Sequence, residues 1–143
     1  MPTRHVLELE NDLGDVEPVV DFVLDRCREA GFDERRLRLN LRVGVTEALV
    51  NAILYGNGRD PAKHVRIELR VEPEAVTVRV TDEGSGFDPE ALPDPTLPHR
   101  RRQPGGRGVF LIRQLMDRVE FNDLGNSITM TLWAHDGLGR ASG

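Results

Sequence analysis

Val45-Thr46-Glu47-Ala48-Leu49-Val50-Asn51-Ala52-Ile53-Leu54-Tyr55-Gly56-Asn57 is the stretch on which the reading of this chain turns. In it and just before it, Leu41, Val45, Ala48, Leu49 and Ala52 recur at three- and four-residue steps, the spacing of one apolar stripe on a helix. Glu47 and Asn51 stack one turn above the other on a different face, which Asn40 and Gly44 extend backwards. The pattern predicts a helix that buries one face in a core and lines a polar site with the other. A carboxylate beside a carboxamide can serve there as a base and as an oxygen ligand for a metal. Taken alone, a solvated face is the plainer reading; the weight of the pair comes from two glycine motifs further along.

Composition bounds what such a site belongs to. The chain has 143 residues, the size of one ordinary domain, with 38% hydrophobic residues. No apolar run nears the roughly 20 residues needed to cross a bilayer, so no membrane partner is expected. Met1-Pro2-Thr3-Arg4-His5 lacks the apolar segment of a signal peptide, and the single cysteine, Cys27, falls on an apolar helix stripe. Both point to a reducing cytoplasm. A net charge of −5 argues against direct nucleic-acid binding, and the basic run from His99 to Arg102 is local.

Leu7 and Leu9 alternate with Glu8 and Glu10 in a short strand over 4–10. Val16, Val19, Val20, Val23 and Cys27 follow helical spacing up to Ala30, and Gly31 supplies a stop. Asp33 can cap the next helix, which carries Glu47 and ends near Gly56. Val65, Ile67, Leu69 and Val71, then Val76, Val78 and Val80, alternate on either side of Pro73-Glu74 as an antiparallel hairpin. Residues 84 to 105 are irregular and rich in Gly and Pro, which predicts a lid over 88–104. A short helix follows from about Arg107, and Val119 and Phe121 pair with Ile128, Met130 and Leu132 across Gly125-Asn126. The expected architecture is an α/β two-layer sandwich: a mixed, mostly antiparallel sheet covered on one face by about three helices. Its bounds are 1–135, followed by a disordered tail over 136–143.

Asp82 continues the inward alternation of Val76, Val78 and Val80, so the register puts a carboxylate towards the buried face, where it needs a partner. Gly84-Ser85-Gly86 follows at once and lets something approach closely. A donor such as the exocyclic amine of adenine would suit that carboxylate; a capped turn with an exposed Asp is the alternative. Gly105-Gly106-Arg107-Gly108 opens the third helix, where free amides can bind phosphate oxygens and Arg107 can add positive charge. A plain hinge is the alternative there. Neither Gly-x-x-x-x-Gly-Lys-Ser/Thr nor Gly-x-Gly-x-x-Gly between strand and helix is present.

In this order, the three elements resemble the ATP-binding (Bergerat) domain of the GHKL superfamily. Glu47 and Asn51 match its N box, Asp82-x-Gly84-x-Gly86 its first glycine box, and Gly106-x-Gly108 its second. The likeness covers roughly residues 5 to 134. Glu-Ala-Leu-Val-Asn-Ala-Ile, Tyr-Gly-Asn and Gly-Arg-Gly-Val-Phe-Leu-Ile-Arg-Gln-Leu-Met-Asp look like runs of the anti-sigma-factor serine/threonine kinases of bacterial partner-switching systems. Two features depart: Phe110 stands where a further Gly is frequent, and the C-terminal threonine box is indistinct, with Thr129 and Thr131 both open to it.

The resemblance implies ATP and Mg2+ as cofactors. It implies Glu47 as general base, Asn51 as magnesium ligand and Asp82 as reader of adenine. Gly84, Gly86, Gly105, Gly106 and Gly108 would shape the pocket and phosphate site, with Arg107 near the γ-phosphate. A histidine kinase needs a phosphoacceptor helix pair and gyrase-like members a second domain, so the expectation is a chain that acts on another protein. The leading reading is an ATP-dependent anti-sigma factor and protein serine/threonine kinase. Its partners are an anti-sigma-factor antagonist and a sigma factor; oligomeric state is open, a homodimer among the options. The competing readings are a non-catalytic ATP-binding module that sequesters a sigma factor, and a domain that binds other regulators.

Overall fold

A computed structural model of the chain describes residues 2–84 and 106–135. The expected lid over 88–104, Gly86, Gly105 and the tail from 136 lie outside the described residues, as does the side chain of Arg107.

Alternation builds the sheet. Strands β1 (Thr3–Glu10), β2 (His64–Val71), β3 (Ala75–Thr81), β4 (Arg118–Phe121) and β5 (Ser127–Trp133) lie in the order β1-β2-β3-β5-β4. Pairing puts Ile67 opposite Val80, Leu69 opposite Val78, and Val78 opposite Met130, so one face is continuously apolar. Val65, Ile67, Leu69, Val71, Val76, Val78, Val80, Met130 and Leu132 are all buried on it. Arg66, Arg70 and Arg79, one residue out of phase, are exposed on the other face.

The sheet was expected to be mixed, yet each of its pairings is antiparallel. The reason lies in the crossover from β1 to β2. The chain leaves β1 at Glu10 and re-enters at His64, directly opposite Glu10, so β2 must run back beside β1.

Helix α1 (Val16–Glu29) buries Val16, Val20, Val23, Leu24 and Cys27, a stripe at helical spacing. It stops at Gly31, whose φ of +85° suits glycine, and the Phe32 N–H donates to the Cys27 carbonyl at 3.1 Å. Burial pushes the Cys27 thiol up to about 12, against a smaller opposing effect of Arg28. Asp33 caps the next helix, its carboxylate accepting from the Arg35 N–H at 3.2 Å.

The single helix expected from Asp33 to Gly56 is found over those bounds, its backbone helical throughout but wound in stages. Helix α2 (Glu34–Arg36) passes through a wide turn, Leu37–Leu41, into α3 (Arg42–Asn51), and a second wide turn, Ala52–Gly56, ends the run. In that second turn the Asn57 N–H reaches back five residues to the Ala52 carbonyl at 2.8 Å, fitting one residue more than an α-turn holds. Helix α4 (Gly106–Leu115) completes the set. Residues of α1, α3 and α4 join the apolar face of the sheet in one core, with Leu24, Leu41, Leu49 and Ile112 almost fully buried. None of the described helices is long and apolar enough to cross a membrane.

Candidate nucleotide site

The second face of α3 meets α4, and it divides. At one end, the Asn40 Nδ2 donates to the Leu115 carbonyl at 2.7 Å, satisfying a carbonyl at the C-terminus of α4. One turn on, a Cβ at Gly44 would come within 2.9 Å of the Met116 sulfur. At the other end, a Cβ at Gly108 would overlap the Asn51 carboxamide, lying 3.1 Å from its Oδ1. These contacts set the two helices antiparallel. They also correct an expectation: Asn40 and Gly44 do not line a polar site but serve helix packing. Only the Glu47 and Asn51 end of that face stays available. Both side chains are half-buried, and among the described residues no hydrogen bond or ion pair engages either.

One wide turn beyond Asn51 lies the carboxylate. Asp82 follows β3, and its carboxyl lies directly against Gly56, so close that any Cβ at 56 would occupy its place. A Cβ at Gly84 would in turn overlap the Gly56 carbonyl. Two glycines from distant stretches therefore let the end of the α3 run and the loop after β3 approach at backbone distance. The Asp82 Oδ1 accepts from the Gly84 N–H at 2.8 Å. Burial raises the Asp82 pKa above its ordinary 3.8, and the Gly84 amide and Lys63 oppose that shift more weakly. A half-buried carboxylate with open acceptor capacity suits a ligand that brings N–H donors.

Asn126 completes this end. Its carbonyl accepts from the Asp82 N–H at 2.9 Å, and its Nδ2 donates to the Asp82 carbonyl at 3.3 Å. Thr129 and Thr131, the two options for a polar residue from the last strand, alternate with the buried Met130 and point away from the helices. The turn at the start of β5 presents Asn126 instead.

The structure thus brings Asn51 and Gly108 together at one end of the α3–α4 pair, with Glu47 one turn before Asn51 on α3, and Asp82 and Gly84 together against Gly56. Gly56, Asn57 and Asn126 join them without having been singled out for the site. Gly56 reads in sequence as a helix stop, and nothing in its neighbours signals the carboxylate that fills the place of its side chain. Among the described residues no group of three or more His, Cys, Asp or Glu could cage a metal. Magnesium fits this donor set in another way, on one carboxamide oxygen with the remaining ligands from phosphate and water. A cavity of about 450 Å3 between Thr3, His5, Arg26 and Pro73 gathers none of the candidate residues.

The family model described as histidine kinase-like ATPase domain matches residues 9–132, and the chain belongs to that family. It is similar to a protein named serine-protein kinase RsbW of Listeria innocua, 29% identical over 114 residues, covering 75% of this chain and 72% of the relative. Another RsbW, of Oceanobacillus iheyensis, is 30% identical over 90 residues, and the match spans 59% of this chain but only 57% of that relative. A protein named serine/threonine-protein kinase BtrW, of Bordetella bronchiseptica, is 29% identical over 100 residues, 67% of this chain and 70% of the relative. A crystal structure of the RsbU and RsbW domains of a Mycobacterium tuberculosis protein superposes with a TM-score of 0.58 at 15% identity, over 93% of this chain and 32% of that one. That likeness establishes the two-layer fold.

Proposed function

We propose that this chain is an ATP-dependent anti-sigma factor and protein serine/threonine kinase that phosphorylates an anti-sigma-factor antagonist in the cytoplasm. The observation that carries the reading is the contact of Asn51 with Gly108, one turn from Glu47 on α3, in a chain similar to relatives named serine-protein kinases.

Each residue then has one task. Asp82 accepts a hydrogen bond from the exocyclic amine of adenine, on a floor made by Gly56 and Gly84; the family likeness assigns Gly86 to the same pocket. The amides of Gly106 and Gly108 at the start of α4 serve the phosphate oxygens, the family likeness assigns Gly105 to the same task, and Arg107 adds charge for the γ-phosphate. Asn51 would hold magnesium through its Oδ1, and the ion, when bound, neutralises phosphate charge. Glu47, half-buried and unpaired among the described residues, takes the proton of the antagonist's serine or threonine hydroxyl. That oxygen bonds to the γ-phosphorus, the bond to the bridging oxygen breaks, and ADP leaves. Sequestration of a sigma factor is the second activity of the same reading.

The test is phosphotransfer to a cognate antagonist beside ATP affinity. Glu47→Gln keeps the shape but cannot take the proton, and transfer should fall about 10²–10⁴-fold with ATP affinity barely changed. Asn51→Ala should instead damage magnesium-dependent binding. A Glu47→Gln protein that transfers at the normal rate overturns the base. A wild type that binds ATP and the antagonist but transfers nothing makes the chain a non-catalytic binding module.

A further inference from the structure

Asn57 is 2% exposed, a polar side chain buried at the exit of the helical run that carries Glu47 and Asn51. Burying a carboxamide is costly unless its donors and acceptor are all met, and here they are. Its Oδ1 accepts from the Glu83 N–H at 2.7 Å. Its Nδ2 donates to the His64 carbonyl at 2.9 Å and to the Asn11 Oδ1 at 3.1 Å. Three stretches far apart in sequence, after β1, at the start of β2 and after β3, are joined at one side-chain tip.

One of the three, the Glu83 N–H, belongs to the peptide that follows Asp82. The peptide on one side of Asp82 is tied to β5 by its own N–H, donated to the Asn126 carbonyl at 2.9 Å. The peptide on its other side is tied by the Glu83 N–H to Asn57. Gly56, the residue before Asn57, is the surface on which the Asp82 carboxyl rests. Residues 56 and 57 therefore hold Asp82 from two directions, one by absence of a side chain and one by a hydrogen bond.

We propose that Asn57 is a positioning residue that aims the Asp82 carboxylate and so sets base selectivity in the nucleotide site. The inference rests on the nucleotide reading above and adds to it a residue that touches no ligand. A carboxylate selects an amino edge over an oxo edge only while its oxygens are held in one place; a carboxylate free to turn away loses that discrimination. Alanine at 57 leaves the Glu83 N–H, the His64 carbonyl and the Asn11 carboxamide without that partner, and the peptide after Asp82 loses its shorter tie and keeps the longer one, from the Asn126 Nδ2 to its carbonyl at 3.3 Å.

The test measures Kd for ATP and for GTP by calorimetry on the full chain. Val71→Ala is the control, since Val71 is buried at the far end of β2 and costs stability without touching this region. Asn57→Ala should weaken ATP about tenfold and GTP by less than about twofold, so that the ratio of the two falls. Val71→Ala should leave both affinities and their ratio unchanged. An Asn57→Ala protein with the wild-type ratio, or with both affinities lowered in proportion, overturns the inference and leaves Asn57 a purely structural residue. If Asn57→Ala does not fold, Asn11→Ala decides: it removes one partner of the carboxamide and should lower the ratio about two- to threefold. A wild-type ratio in that variant overturns the inference equally. A wild type that binds neither nucleotide sinks the nucleotide reading itself, and this inference with it, before any variant is compared.

Discussion

Helix α3 has two working faces, and they obey different rules. The face towards the sheet, with Leu41, Val45, Ala48, Leu49 and Ala52, is buried among other apolar side chains, where volume decides. The face towards α4 is held by a carboxamide on a carbonyl at Asn40, a thioether over Gly44, and a glycine backbone pressed on Asn51. There the decisive quantity is the absence of atoms. The lesson is that one helix can be over-determined on the side that makes the fold and finely tolerant on the side that makes the site.

Substitutions chosen on the two faces sharpen that contrast. The largest effect is expected on the sheet side. Leu49 is fully buried, and Leu49→Ala should cost about 2–5 kcal/mol in denaturant unfolding. Enough protein kept folded at low temperature should bind ATP at the wild-type affinity. A strong loss of affinity in the folded fraction would merge the two faces into one.

Asp82→Asn should separate function from stability. It should lose a charge-assisted hydrogen bond to the ligand, roughly 1.5–3 kcal/mol of ATP affinity. The ligand-free protein should move the other way. Because the folded pKa of Asp82 is raised above 3.8, the native state holds its proton more tightly than the unfolded chain. Its contribution to stability is full below 3.8 and is lost as pH rises through the folded pKa. The Asn variant escapes that loss, so it should be the more stable protein at neutral pH, with the advantage shrinking as pH falls towards 3.8. Thermal unfolding at several pH values checks the sign. A variant less stable than wild type at neutral pH would show that the carboxylate supports the fold.

The smallest effects come from adding one methyl group at either end of the α3–α4 seam. Gly108→Ala pushes on the Asn51 carboxamide and should weaken ATP by about tenfold, near 1.4 kcal/mol. Gly44→Ala meets the flexible Met116 thioether, which can move aside. It should cost about 1 kcal/mol of stability or less and leave ATP affinity unchanged. Equal effects of the two on ATP affinity would mean the seam has no division.

The same division explains what could be read from the chain. The stripe from Val16 to Cys27, the 65–71 and 76–80 hairpin and the sheet-facing side of α3 carry their period in the sequence, and each folds accordingly. Polarity at Asn40 and smallness at Gly44 are equally plain in sequence, but nothing in them names what lies opposite, and α4 lies there. The turn Ala52–Gly56 holds one extra residue, which no composition marks; it is what brings Gly56 beneath Asp82 and turns Asn57 inwards. Thr129 and Thr131 were open as the polar contribution of the last strand, but period-two alternation placed both on the far face and left Asn126 beside Asp82.

Cys27 turns α1 into its own alarm. It is the only thiol in the chain, it is fully buried, and burial keeps it protonated far above neutral pH. A thiol reagent can therefore reach it only when α1 lifts from the sheet, so each labelled molecule records one opening event. A ligand that binds the folded chain and steadies the whole should slow that clock, so binding elsewhere can be followed from a buried thiol that takes no part in it.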